Sequence, residues 1–220
     1  MKKTNTVSDT KNTVTELVFI LDASGSMAPL RDDTIGGFNT MLGKQRGTEG
    51  KAYVTTVMFS DDMRTVHDRI PLEDIKDLTR EDYEPMGCTA LYDAVGETIK
   101  HITDIHKYAR KEDVPGKTLF VITTDGMENA SRKYRAAEVK KLISRQQEAG
   151  WEFIFLGANI DAAAAAADIG ICEERAVNYK PSGKGTAMLF RAVGAAVSMN
   201  RKAKCMDASW REELDEENAK

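Results

Sequence analysis

Five oxygen-bearing residues stand in three short segments far apart in the chain: Asp22-Ala23-Ser24-Gly25-Ser26, Gly87-Cys88-Thr89 and Thr124-Asp125-Gly126. Together Asp22, Ser24, Ser26, Thr89 and Asp125 offer two carboxylates and three hydroxyls, with no His or Cys ligand among them. Hard oxygen donors of this kind suit Mg2+ or Mn2+ rather than zinc or copper. Catalysis on such a metal would also need a base or nucleophile within hydrogen-bond reach. No His or Lys is placed in these segments, and Cys88, the one reactive type there, reads as a small buried apolar residue.

The segments become a site only if the elements around them converge. Residues 17–21 (LVFIL) are apolar throughout, as a strand covered on both faces should be. A helix is expected over 30–44, and strands over 53–59 and 64–70, joined by Ser60-Asp61-Asp62 as an antiparallel hairpin. Val95, Ile99, Ile102 and Ile105 mark one face of a helix over 91–108. A strand over 118–123 follows Pro115-Gly116, and a helix over 135–148 ends at Gly150. A strand over 151–156, a helix through Ala162–Ala167 capped by Asp161, a short strand over 176–179 and a helix over 185–200 complete the order.

Alternating strands and helices with right-handed crossovers predict a three-layer α/β/α, doubly wound and mostly parallel sheet with one antiparallel edge strand. Ligands of such sheets bind at the carboxyl ends of the strands, at the topological switch point. The three segments follow or precede elements at that edge. No repeat or linker divides the chain. The expected organisation is a flexible tail over 1–14, one domain over 15–200 and a charged, solvated tail over 201–220.

On these residues the chain resembles the von Willebrand factor type A (vWA) family. Asp22-x-Ser24-x-Ser26, Thr89 and Asp125 match the family's metal-ion-dependent adhesion site (MIDAS) in order and on the expected elements, and the resemblance covers residues 15–200. Helix capping by Asp and Ser accounts for any one of the loops but poorly for all three. The resemblance implies Mg2+ or Mn2+ held by those five residues, and a partner protein that offers an Asp or Glu to the metal. It also implies a shift of the helix over 185–200 on ligand binding. Gly194, Ala195 and Ala196 would permit sliding or simply allow close packing.

Other constellations carry less. Asp32-Asp33 is similar to the acidic pair of a second metal site in integrin β subunits, but it stands further from the DxSxS string and suits the first turn of a helix. Glu128 and Asn129 read as a solvated loop. Ser182-Gly183-Lys184-Gly185-Thr186 is not a phosphate loop, because position 178 is Asn and Lys184 is followed by Gly. His67, His101 and His106 have no metal-ligand spacing.

With 35 acidic against 31 basic residues and a net charge of −4, nothing favours nucleic acid or an anionic membrane. Cys88, Cys172 and Cys205 form no CxxC pair, and no secretion signal or membrane span is evident, so the expected compartment is the cytoplasm. The expected function is a metal-dependent protein-binding adaptor, not an enzyme, for which a monomer suffices. A Mg2+-dependent hydrolase or phosphotransfer enzyme, and a scaffold with a purely structural metal, are the alternatives.

Overall fold

The computed structural model describes residues 14–202 and 206–220. The first strand, β1 (Thr15–Asp22), is buried at every position. A 3-10 turn (Gly25–Leu30) leads into α1 (Arg31–Arg46), and β2 (Ala52–Phe59) and β3 (Met63–Pro71) make the expected hairpin. Then follow α2 (Leu91–Tyr108), β4 (Lys117–Thr124), α3 (Ala136–Glu148), β5 (Glu152–Gly157), α4 (Ala162–Asp168), β6 (Ala176–Asn178) and α5 (Gly183–Arg201).

The strand order is β3-β2-β1-β4-β5-β6, parallel throughout except for the β2–β3 pair. This is the three-layer, mostly parallel sheet with one antiparallel edge strand that the patterning predicts. The chain winds outward from β1 to β3 and returns to β4 on the other side of β1, so the switch point lies between β1 and β4. Successive side chains of a strand face opposite ways. Leu17, Phe19 and Leu21 therefore join a core with Phe38 of α1 and Val193 of α5, while Val18 and Ile20 join one with Ile99 of α2 and Val139 of α3.

The helices are placed by small residues. A Cβ on Gly194 of α5 would lie 3.4 Å from Met41 of α1, and Gln45 Nε2 donates to the Gly194 carbonyl at 2.9 Å. Gly194 therefore marks a close approach of α5 to α1. Lys117 Nζ holds the Asn200 carbonyl at the end of α5 at 2.5 Å.

The charged C-terminal segment is not the solvated tail its composition predicts. It forms a 3-10 turn (Ala208–Arg211) and α6 (Glu212–Asn218). Trp210 and Leu214 are 2% and 1% exposed, seated in the α1–α5 core. Two apolar residues four apart outweigh the charge around them, because helix residues at that spacing share one face. Of the expected N-terminal tail, residues 1–13 lie outside the described residues, as does Cys205. Among the described residues no helix is long and apolar enough to cross a membrane.

Candidate metal centre

Asp22 ends β1 and Thr124 ends β4, the two strands that flank the switch point, so the DxSxS and TDG loops leave the sheet side by side. Asp22 Oδ1 accepts the Ser24 N–H at 2.7 Å, closing an Asx turn that folds the first loop back on itself. Asp22 Oδ2 accepts the Thr124 hydroxyl at 2.6 Å and the Asp125 N–H at 3.3 Å. The Ser24 and Ser26 hydroxyls are 3.2 Å apart, and Ser26 Oγ donates to Asp125 Oδ1 at 2.6 Å.

The third loop is held by backbone. Gly25 N–H donates to the Gly87 carbonyl at 3.0 Å and Met86 N–H to the Ala23 carbonyl at 2.9 Å. Gly87 has φ +71°, and a Cβ there would lie 2.1 Å from Asp61 Oδ2, so only glycine fits. Thr89 N–H donates to Asn129 Oδ1 at 2.9 Å, and Asn129 N–H returns to the Thr89 carbonyl at 3.0 Å. Thr89 Oγ1 lies 3.7 Å from the position of a Cβ on Gly126. Four of the five predicted residues are thus linked through side chains, and Thr89 joins them through the backbone of its neighbours. Asp22, Ser24, Thr89 and Asp125 are at most 4% exposed, whereas Ser26 is exposed.

The two carboxylates sit together, and among the described residues no cationic side chain pairs with them. All three donors to Asp22 are neutral. Burial first, and then the charge of Asp22, raise the Asp125 carboxyl above the usual carboxylate range against the opposing hydrogen bond from Ser26. The negative field reaches deeper. Burial and then Asp22 push the Tyr83 hydroxyl well up, and burial with Asp125 and Asp22 does the same to Tyr179. The buried Tyr179 hydroxyl has no hydrogen-bond partner among the described residues.

A buried carboxylate pair with adjacent hydroxyls and no cation fits a divalent ion, which would balance the charge. Among the described residues no three His, Cys, Asp or Glu side chains are arranged to hold a metal. Any such site must therefore combine the carboxylates with Ser24, Ser26 and Thr89.

Several supporting residues escaped the sequence reading. Tyr83 donates its hydroxyl to the Asp22 carbonyl from beneath the loop. It lies in the segment between β3 and α2, where Leu72, Ile75, Leu78 and Tyr83 are all buried. Their spacing was the available signal. Glu128 and Asn129 are braces rather than a solvated loop. Glu128 accepts from the Tyr92 and Ala130 N–H groups, both at 2.9 Å, and from the Ser131 N–H and hydroxyl, both at 2.7 Å. Cys88 is exposed, not buried, because Asp61 takes its N–H at 3.1 Å and turns the residue outward. The Asp61 carboxylate raises the thiol above its ordinary range, the wrong direction for a nucleophile.

The remaining candidates are structural. Asp32 is engaged by Arg80, Ser182 caps α5 with Gly185 N–H at 3.1 Å, and Lys184 pairs with Glu217 at 2.8 Å. His67 lies 3.1 Å from Thr56 Oγ1, His101 pairs with Asp68 at 2.9 Å, and His106 meets the buried Glu16 at 3.3 Å.

No family model and no curated protein matches the chain. Solved structures do. Proximal thread matrix protein 1 from the mussel byssus superposes with a TM-score of 0.59 at 17% identity, over 84% of this chain and 46% of that one. A von Willebrand factor type A protein from Catenulispora acidiphila gives 0.54 at 17% identity, over 84% and 42%. The vWF domain of the type V pili tip protein Mfa5 from Porphyromonas gingivalis gives 0.58 at 10% identity, over 84% and 95%. The chain spans less than half the length of the first two and nearly all of the third. The fold is that of a vWA domain. The mussel protein is also known with a zinc-occupied MIDAS motif.

Proposed function

We propose that this domain is a cytoplasmic adaptor that uses a divalent ion, Mg2+ or Mn2+ in the cell, to bind an Asp or Glu of a partner protein. The observation that carries this reading is the buried Asp22–Asp125 pair, bridged only by neutral donors and placed at the switch point beside three hydroxyls. Asp22, Ser24, Ser26, Thr89 and Asp125 would hold the ion. A bound divalent ion supplies positive charge for an anionic oxygen.

Both oxygens of Asp22 already accept from the protein, which supports an orienting role through water, with the hydroxyls as inner ligands. Less of the ion's charge is then cancelled by the protein, and an incoming carboxylate is favoured over water. The raised Cys88 thiol and the structural partners of all three histidines support a binding module over an enzyme. The exposed thiols of Cys88 and Cys172 fit a reducing compartment.

The test is capture of partners on the immobilised chain in Mg2+ and in chelator, followed by change of each acidic residue of the mapped partner surface to its amide. Binding should require metal, weaken in Thr89→Ala and vanish with one such amide. Metal-dependent binding that survives neutralisation of every interface acid would leave the ion only a structural pin. Phosphoester, nucleotide and peptide panels should show no turnover. Activity that disappears in Ser24→Ala would overturn the adaptor reading.

A further inference from the structure

Beside the metal loops a cleft of about 230 Å3 opens between the start of α2, the TDG loop and α4. Gly126 and Met127, which directly follow Asp125, form one wall, and Leu91 and Tyr92, which follow Thr89 by two and three positions, form another. Ala164 and Ala165 of α4 make the third. The alanine tract therefore has two faces. Ala162 and Ala166 are fully buried in the core, while Ala164 and Ala165 leave room that larger side chains would fill. Met127 is 75% exposed at the mouth.

The walls are apolar, but the charges are all of one sign. Glu128, Asp161 and Asp168 line the cleft, and among the described residues no Lys, Arg or His does. The volume is below the roughly 300–1,000 Å3 of a typical small-molecule site, so one side chain fits. Glu128 is already held by four donors, so an aliphatic residue would satisfy the walls and leave Asp161 and Asp168 without an opposite charge. Lys and Arg have an apolar stem and a cationic head. Of the two, guanidinium is the more weakly hydrated and can bind two carboxylates from one planar fork.

We infer that this cleft is a second subsite that takes an arginine side chain of the partner, stem against Leu91, Ala164 and Ala165, head at Asp161 and Asp168. Its place one residue from Asp125 makes it a specificity pocket for the residues that flank the partner's metal-binding acid, and that role rests on the function proposed above. Burial and the charges of Glu128 and Asp168 raise the Tyr92 hydroxyl, in keeping with a negative field across the cleft.

The test is a nuclear magnetic resonance titration of the full chain in chelator, with N-acetyl-arginine methylamide as the probe. Its neutral isostere N-acetyl-citrulline methylamide and N-acetyl-leucine methylamide serve as comparisons. Because no metal is present, the result is independent of whether the metal site binds a carboxylate. The arginine probe should give saturable shifts at the amides of Tyr92, Gly126, Ala164 and Ala165. The citrulline probe should bind about three- to tenfold more weakly, the range of one or two exposed ion pairs. Asp161→Asn with Asp168→Asn should reduce arginine to the citrulline level, while Asn at 161 keeps the cap of α4. Equal or tighter binding of leucine, unchanged arginine binding in the double variant, or no saturable shift at these amides would each overturn the assignment.

Discussion

The Ser26 hydroxyl donates to Asp125 Oδ1 at 2.6 Å, joining residues 99 positions apart. With the Thr124 hydroxyl on Asp22 at 2.6 Å, it ties the loop after β1 to the loop after β4 through side chains alone. The loops are held together by the protein's own donors, so the site is assembled ahead of any ligand. Preorganisation of this kind lowers the ordering cost of binding.

That arrangement carries an electrostatic cost with a defined pH dependence. Asp125 titrates higher in the fold than in the unfolded chain, because it is buried and faces Asp22. Its favourable contribution is complete below the unfolded carboxylate value, near pH 4, and is lost as pH rises through the folded one. Above the folded value the metal-free domain therefore bears that cost. Asp125→Asn, which keeps an acceptor for Ser26, should match or exceed the wild-type melting temperature at pH 7 in chelator. The advantage should shrink below pH 4. Metal at one hundred times its Kd should stabilise the wild type by about 2.7 kcal/mol and leave the variant nearly unchanged. Thermal melts across pH, with and without Mg2+, check both signs.

Gly36 and Gly37 are neighbours on α1 that should respond oppositely to alanine. A Cβ on Gly36 meets nothing within 4 Å, so Gly36→Ala should gain up to about 1 kcal/mol of helix propensity. A Cβ on Gly37 would stand 2.4 Å from the Phe190 ring, which is itself buried against Phe38. Overpacking costs roughly 1–3 kcal/mol and outweighs the same propensity gain, so Gly37→Ala should destabilise. Denaturant midpoints of the two variants settle the order.

Trp210 tests whether the C-terminal segment belongs to the domain. It is 2% exposed, and Asn218 Nδ2 on the same segment donates to the Asn178 carbonyl of edge strand β6 at 2.8 Å. Trp210→Ala should cost about 3–5 kcal/mol. A loss below about 0.5 kcal/mol, usual for surface changes, would contradict the docked arrangement.

The sheet and the convergence of the three loops were legible in the sequence for different reasons. The run Leu17-Val18-Phe19-Ile20-Leu21 announces a strand covered on both faces, and that coverage fixes the layers. The loops announce themselves by residue type, because helix capping accounts for Asp, Ser and Thr in any one of them but poorly for all three together. Less visible was what holds them. Tyr83, Asn129 and Asp61 act through one or two hydrogen bonds across 61, 40 and 27 positions, and no local pattern encodes such separations. Trp210 and Leu214 were hidden by composition, since two apolar residues in a charged segment are enough once a core accepts them. Asp32 shows the reverse, an acidic pair whose likeness to a metal site ends in an ion pair with Arg80.

Asp22 and Asp125 are proposed to make one divalent-ion site with Ser24, Ser26 and Thr89. Its most direct test is a Mn2+ titration followed by electron paramagnetic resonance of the free ion, on the wild type and on Asp22→Ala and Asp125→Ala. The wild type should bind one ion per chain, displaced by Mg2+, and neither variant should show specific binding, with both still folded by circular dichroism. Unchanged stoichiometry and affinity in the two variants would contradict it.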